Sequence, residues 1–134
     1  MRVLIVEDEP LIAMSLAAEL KLAGHHVLGP SGDAAEALCL AGEQDAELAL
    51  IDTALNSSMD AVELARMLRA QCGVPSLFLT TEPLYFHEHA DAALGMITLP
   101  FDPADITQTI QAAQRLMRGD RPMPRTMPHA LQLF

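Results

Sequence analysis

The sequence is poor in positive charge. Eight Lys and Arg stand against 18 Asp and Glu, for a formal net charge of −10. Lys21 is the sole lysine, and no Lys or Arg occurs between Arg69 and Arg115. Binding to nucleic acid or to an anionic membrane surface draws on such cations, so neither is expected as a main partner. There are two cysteines, Cys39 and Cys72. Both fall inside helical patterns, and reduced core thiols are expected rather than a disulfide or a metal pair. No apolar run reaches the roughly 18 residues needed to span a bilayer. Met1-Arg2 leads straight into an apolar run without a leader pattern, so a cytoplasmic protein is expected. Neither G-x-G-x-x-G nor a P-loop is found, which argues against a dinucleotide fold and a nucleotide triphosphatase.

What is present is a regular alternation of strand and helix in 134 residues, enough for one domain with a sizeable core. The first strand spans about Arg2 to Val6. Pro10 suits the first turn of a helix that carries Ile12, Leu16 and Leu20 at four-residue steps and stops at Gly24. His26 to Leu28 reads as a short edge strand closed by Gly29-Pro30. Asp33 can cap a helix through about Ala41, with Gly42 at its end. Leu48 to Asp52 is the most apolar strand and the expected centre of the sheet.

Asn56-Ser57-Ser58 leads into a third helix, with Leu64 and Leu68 inside and Val62, Arg66 and Arg69 on its surface, ended by Gly73-Val74-Pro75. Ser76 to Leu79 is a fourth strand. Thr80 to Leu94 is left unassigned, because Pro83 and Tyr85-Phe86 blur any short helix. Met96 to Leu99 is a fifth strand. Asp102-Pro103-Ala104-Asp105 signals a helix start, and Ile106, Ile110, Ala113 and Met117 mark its buried stripe. Met14, Met67 and Met117 are read as core filler. After residue 118 the chain turns proline-rich (Pro122, Pro124, Pro128) and ends on Leu131-Gln132-Leu133-Phe134. Residues 1–118 are expected to form the domain, with 119–134 an extended tail, disordered or docked on a partner subunit in a homodimer, and too short to be an output domain.

This order predicts an α/β, doubly wound parallel sheet with helices on both faces. In such sheets ligands bind outside the carboxyl ends of the strands. There the sequence places acids: Glu7-Asp8 after the first strand and Asp52 at the end of the third. Converging like charges repel, and a divalent cation is the chemistry that reconciles them. Helix and loop capping alone would not call for three acids at neighbouring strand ends. A flavodoxin would need a phosphate loop where Glu7-Asp8-Glu9-Pro10 stands, and those acids would repel phosphate. An aspartyl phosphatase would need a second acid two residues past its nucleophile, where this sequence has Ala54.

Four segments in order, Val6-Glu7-Asp8-Glu9-Pro10, Leu50-Ile51-Asp52, Phe78-Leu79-Thr80 and Pro100-Phe101, make residues 1–118 resemble the receiver domain of two-component response regulators. The resemblance implies a five-stranded, flavodoxin-like sheet of order 2-1-3-4-5. It implies Asp52 as phosphoacceptor, with Mg²⁺ held by Glu7, Asp8, Asp52 and the backbone carbonyl of Ala54. Thr80 would be the hydroxyl that meets the phosphoryl group, with Thr81 the alternative that the strand pattern disfavours. The partners implied are a histidine kinase or histidine phosphotransfer protein and a downstream protein target. Such a protein is a regulator rather than an enzyme, and the chemistry fits: an ionised carboxylate can attack a phosphoramidate phosphorus.

The departures are specific. The family carries a Lys just before the Pro-Phe pair, and here that position is Leu99. Its aromatic switch position, three residues earlier, is Met96. The stretch from Thr80 to Pro100-Phe101 is short, as in a small group of stand-alone receivers with an altered fourth helix. Glu82 matches a position that tunes dephosphorylation in the family. His87-Glu88-His89 reads as surface histidines, since two His two residues apart point in different directions. Three readings stay open: a phosphoacceptor receiver in a phosphorelay, a pseudo-receiver that does not depend on phosphorylation, and a metal-dependent phosphotransferase or phosphatase, which Ala54 argues against.

Overall fold

The computed structural model describes residues 1–57, 59–100, 102, 104–120 and 127–134. Ser58, Phe101, Pro103 and part of the proline-rich tail, with Pro122 and Pro124, lie outside the described residues. The elements are β1 (Arg2–Val6), α1 (Pro10–Leu22), β2 (His26–Ser31), α2 (Ala34–Glu43), β3 (Leu48–Asp52), α3 (Ala61–Met67), β4 (Ser76–Thr80), α4 (Pro83–His87), β5 (Gly95–Thr98), α5 (Asp105–Met117) and β6 (Leu131–Leu133). A wider π turn, Leu68–Cys72, prolongs α3 until Gly73 closes it in the left-handed region at φ 68°. The sheet order is β2-β1-β3-β4-β5-β6. The first five strands are parallel, and β3 lies in the middle of them, as its unbroken apolar run predicts.

Side chains of successive strand residues point to opposite faces, and the core divides accordingly. Leu4, Val6, Ala49, Ile51, Phe78 and Met96 pack with α2, α3 and Phe86 of α4 on one side. Val3, Ile5, Leu48, Leu50, Leu77, Leu79 and Ile97 pack with α1 and α5 on the other. Helix starts are fixed by side chains. Glu9 accepts from the N–H groups of Leu11 and Ile12, Asp33 from Glu36, and Asp60 from Glu63.

Several expectations are corrected. The end of the tail is neither disordered nor free of the domain: Leu131–Leu133 returns as β6 and pairs antiparallel with β5, so the sheet gains a sixth strand. β2 runs three residues past Leu28, through Gly29-Pro30 to Ser31, where its carbonyl still receives the Glu7 N–H. α2 runs one residue past Gly42, to Glu43. Thr80 to Leu94 contains only the five-residue α4 followed by turns. Val62 is buried, whereas Met14 and Met117 are exposed at 67% and 40%. Cys39 is exposed, and both thiols are free. α5 begins at Asp105, after a turn in which the Asp102 carboxylate accepts from the Ala104 N–H.

Leu50→Ala, a truncation at a fully buried site in β3, is expected to lower stability by about 2–5 kcal/mol. Met14→Ala is expected to change it by no more than about 0.5 kcal/mol, as for other exposed positions. Urea unfolding of both variants checks the pair.

Candidate functional site

The register of the sheet builds the site. Val6 pairs with Ile51, so the next residues, Glu7 and Asp52, emerge side by side at the carboxyl ends of β1 and β3. Asp52 in turn pairs with Leu79, which places Thr80 one step beyond it on β4. One oxygen from each of Glu7, Asp8 and Asp52 lies within 4.8 Å of the others. Among the described residues this is the one group of three or more potential metal ligands that close together. Glu7 and Asp52 are buried, at 3% and 7% exposure, while Asp8 opens to solvent.

Each acid is held by backbone. Glu7 Oε1 accepts from the Glu9 N–H at 3.0 Å. Asp52 Oδ1 accepts from the Ala54 N–H at 3.0 Å, which folds the loop after β3 back over the strand end. Asp8 Oδ2 accepts from the Asn56 N–H at 3.3 Å, so the same loop is tied to the acids from its far side. Gly32 makes room for this packing, because a Cβ there would stand 3.2 Å from that of Asp8.

Glu7 Oε2 is buried and has no hydrogen-bond partner. A buried polar atom left unpaired is costly, and a buried carboxylate beside another is costlier still. The Glu7 carboxyl is accordingly pushed up to about 8, chiefly by burial and then by the neighbouring Asp52. With nothing bound, Glu7 therefore holds a proton more readily than an ordinary carboxyl does. A divalent cation among the three carboxylates would give the orphaned oxygen a partner and favour the ionised form. The donor set is all oxygen and partly open to water, which suits Mg²⁺.

Thr80 is fully buried, and its hydroxyl oxygen accepts from the Glu82 N–H at 2.8 Å, leaving its proton free to be aimed elsewhere. Thr81 is exposed. Leu99 lies half-buried against the α1/α5 side of the core, and its N–H donates to the Thr80 carbonyl at 2.8 Å. Met96 is buried on the opposite side. Among the described residues the ion pairs are Arg2–Glu47 and Arg66–Asp91, neither of which reaches the acids. His87 bonds Gln132, and His89 lies against the Tyr85 ring.

The sequence pattern locates the acids and Thr80 at strand ends. It misses the backbone clamps from Glu9, Ala54 and Asn56, for which no residue-type signal exists. It also misses that Gly95 of β5 has no room for a Cβ, which would stand 2.5 Å from the Gln132 carbonyl oxygen of β6, although a glycine in a strand is a known mark of close backbone approach.

Comparison with known proteins agrees with this geometry. Residues 3–111 match the family model described as the response regulator receiver domain. The phyllosphere-induced regulator PhyR of Methylorubrum extorquens is 35% identical over 114 residues, which is 83% of this chain and 42% of that protein. The chain spans about half the length of the curated relatives it matches. Among solved structures, the signal receiver domain of a modulated diguanylate cyclase from Desulfovibrio desulfuricans G20 superposes with a TM-score of 0.78 and 29% identity, covering 87% of this chain and 95% of that one. The receiver domain of the sensor histidine kinase PA1611 from Pseudomonas aeruginosa PAO1, with a magnesium ion coordinated in its active site cleft, gives 0.71 and 27%, covering 82% and 93%. The curated relatives are by name regulators. Sheet order, acid cluster and relatives lead to one conclusion: the chain belongs to the response regulator receiver domain family of two-component signalling.

Proposed function

We propose that this receiver accepts a phosphoryl group on Asp52 in a phosphorelay and signals through protein contacts. The observation that carries the reading is the buried, unpartnered Glu7 oxygen beside Asp52 and Asp8. Glu7, Asp8 and Asp52, with the Ala54 carbonyl, would hold Mg²⁺, as the Pseudomonas receiver holds magnesium in its cleft. When bound, the ion offsets the charge of the incoming phosphoryl group and of the carboxylates around it. A carboxylate oxygen of Asp52 attacks the phosphorus of a phosphohistidine. The phosphorus–nitrogen bond breaks, and the electron pair leaves on the imidazole nitrogen, which takes up a proton. The donor is a histidine kinase or a histidine phosphotransfer protein, and the output is a downstream protein target. Thr80 donates its hydroxyl proton to the bound phosphoryl oxygen while still accepting from Glu82. Glu82, exposed beside it, tunes the lifetime of the acyl phosphate. Residues 1–118 form this receiver, and the end of the 119–134 tail completes its sheet.

A second reading has its own observation. Leu99 replaces the usual lysine, and no Lys or Arg lies between Arg69 and Arg115. A charge-assisted bond of about 1.5–3 kcal/mol is thereby missing from the phosphorylated state. A pseudo-receiver that binds its partner without phosphorylation is the alternative.

Acetyl phosphate with Mg²⁺ separates the two readings. The wild type is expected to gain one phosphoryl group by intact-protein mass spectrometry, and omission of Mg²⁺ or the change Asp52→Asn is expected to abolish the gain. An unmodified wild type, or an equal gain on Asp52→Asn, would favour the pseudo-receiver.

A pH dependence follows from Glu7. Its folded-state value stands above the ordinary 4.5, at about 8. The stability it contributes is therefore complete below about 4.5 and lost as pH rises through about 8. Thermal melts in a chelator are expected to show a Tm that falls between about pH 5 and 8 and levels off above, and Glu7→Gln is expected to flatten that trend. Mg²⁺ must displace the Glu7 proton, so its affinity is expected to rise by about tenfold per pH unit up to about 8. Calorimetric titration with MgCl₂ at three pH values measures this slope, and a flat profile would oppose the assignment.

A further inference from the structure

The C-terminal strand occupies an edge that would otherwise stand open. Parallel sheets of this kind leave the last strand with unpaired N–H and C=O groups, which bind any extended segment offered to them. Here β6 fills the edge of β5, pairing Gly95 with Leu133, Met96 with Gln132 and Ile97 with Leu131. The Thr98 N–H donates to the Ala130 carbonyl, and the Phe134 N–H donates to the Leu94 carbonyl, so the contact runs past both ends of the pairing. Gly95 is fitted to it. A Cβ at that position would stand 2.5 Å from the Gln132 carbonyl oxygen and 3.1 Å from Leu133 Cα. The strap reaches both halves of the core: Leu131, Leu133, Ala130 and Met127 pack on the α1/α5 side, and Phe134 on the other. Gln132 Nε2 stands 3.0 Å from His87 Nδ1 of α4.

The same segment is two backbone contacts from the acid site. The end of β5 is gripped from both sides: the Leu99 N–H bonds the Thr80 carbonyl at 2.8 Å, and the Thr98 N–H bonds the Ala130 carbonyl at 3.0 Å. Thr80 lies in the interior of the sheet and is fully buried. The strap is three paired residues at the rim. Leu99, where the family would send a cation to the phosphoryl group, instead packs against the core cluster that also holds Met127, Ala130 and Leu131.

From these contacts we infer that residues 127–134 are a releasable strap, and that a phosphoryl group on Asp52 loosens it and opens the β5 edge. The inference rests on the reading of Asp52 as phosphoacceptor. A phosphoryl group turns the singly charged Asp52 carboxylate into an acyl phosphate of up to roughly two negative charges, a net gain of about one at the end of β3, and attracts the Thr80 hydroxyl. Movement of Thr80 carries Leu99 and the end of β5 with it. Of the two bonds that hold that end, the one inside the buried sheet stays and the one to the rim yields, because the rim strand has the fewest residues to lose. Linkage gives the direction of the reverse effect: a change that opens the strap favours the phosphorylated state, by at most the factor that couples the two.

Amide hydrogen exchange on the full chain, with acetyl phosphate and Mg²⁺ in excess and the mass gain recorded in parallel, tests this. The Thr98 and Phe134 amides are expected to exchange at least about tenfold faster in the phosphorylated protein. The Leu99 amide is expected to stay protected, which a general loosening of the fold would not allow, and Asp52→Asn is expected to show no change. A mass gain without faster exchange at Thr98 and Phe134, or with equal loosening at Leu99, would overturn the strap. No mass gain would overturn the phosphoacceptor reading and the strap with it. Gly95→Ala, with Leu131→Ser as a second variant should the first not fold, is expected to raise the phosphorylated fraction at fixed acetyl phosphate. A fraction equal to that of the wild type in the folded variant would also overturn the proposal.

Discussion

Two buried carboxyl groups at neighbouring strand ends set the terms for the rest of this molecule. Glu7 and Asp52 are brought together by the pairing of β1 with β3, and Asp8 adds a third acid at the rim. Two unit charges about 4 Å apart repel by about 4 kcal/mol at an effective dielectric of about 20. Burial first, and then the neighbouring Asp52, push the Glu7 carboxyl up to about 8, so without a bound cation the cluster keeps a proton there. The fold tolerates the arrangement because apolar surface behind it is extensive and fully buried along β1, β3 and β4. A cluster that is strained alone and relaxed when charge is supplied is suited to capture of a cation and, on the proposed reading, of a phosphoryl group.

The surroundings differ from those the family resemblance implies. Leu99 belongs to the apolar core instead of completing the anion site, and Met96 is locked in the opposite face of the sheet. The fourth helix is reduced to Pro83–His87. In compensation the chain supplies its own sixth strand, with the glycine that strand requires. The β5 edge of the sheet is thereby covered from within the chain. A receiver without the usual lysine and aromatic switch would need another route from Asp52 to the surface. Thr80, Leu99, Thr98 and Ala130 form a continuous backbone path of the right kind.

The acid cluster and Thr80 were legible in the sequence because they stand where short apolar runs stop, and strand ends in α/β sheets are where ligands gather. The central place of β3 was legible because its run, Leu48 to Asp52, lacks the alternation of an edge, while the full strand order came from the family resemblance. β6 was not, since its pairing with β5 joins segments more than thirty residues apart and its three residues carry little pattern of their own. Met14 and Met117 were misjudged as core because helical spacing gives a period but not which face of the sheet the stripe meets. Val62 was misjudged as surface for the same reason. Asp60 as a cap escaped notice because its side chain acts on a helix start that composition alone did not fix.

The account turns on Glu7, so its titration is the most direct measurement. Carbon-detected NMR of the side-chain carboxyl, recorded with and without MgCl₂, would follow one group through its own pH curve. The account predicts a midpoint near 8 in the metal-free protein. It predicts a fall toward or below the ordinary carboxylate range once Mg²⁺ is bound. A midpoint near 4.5 that Mg²⁺ does not move would contradict it.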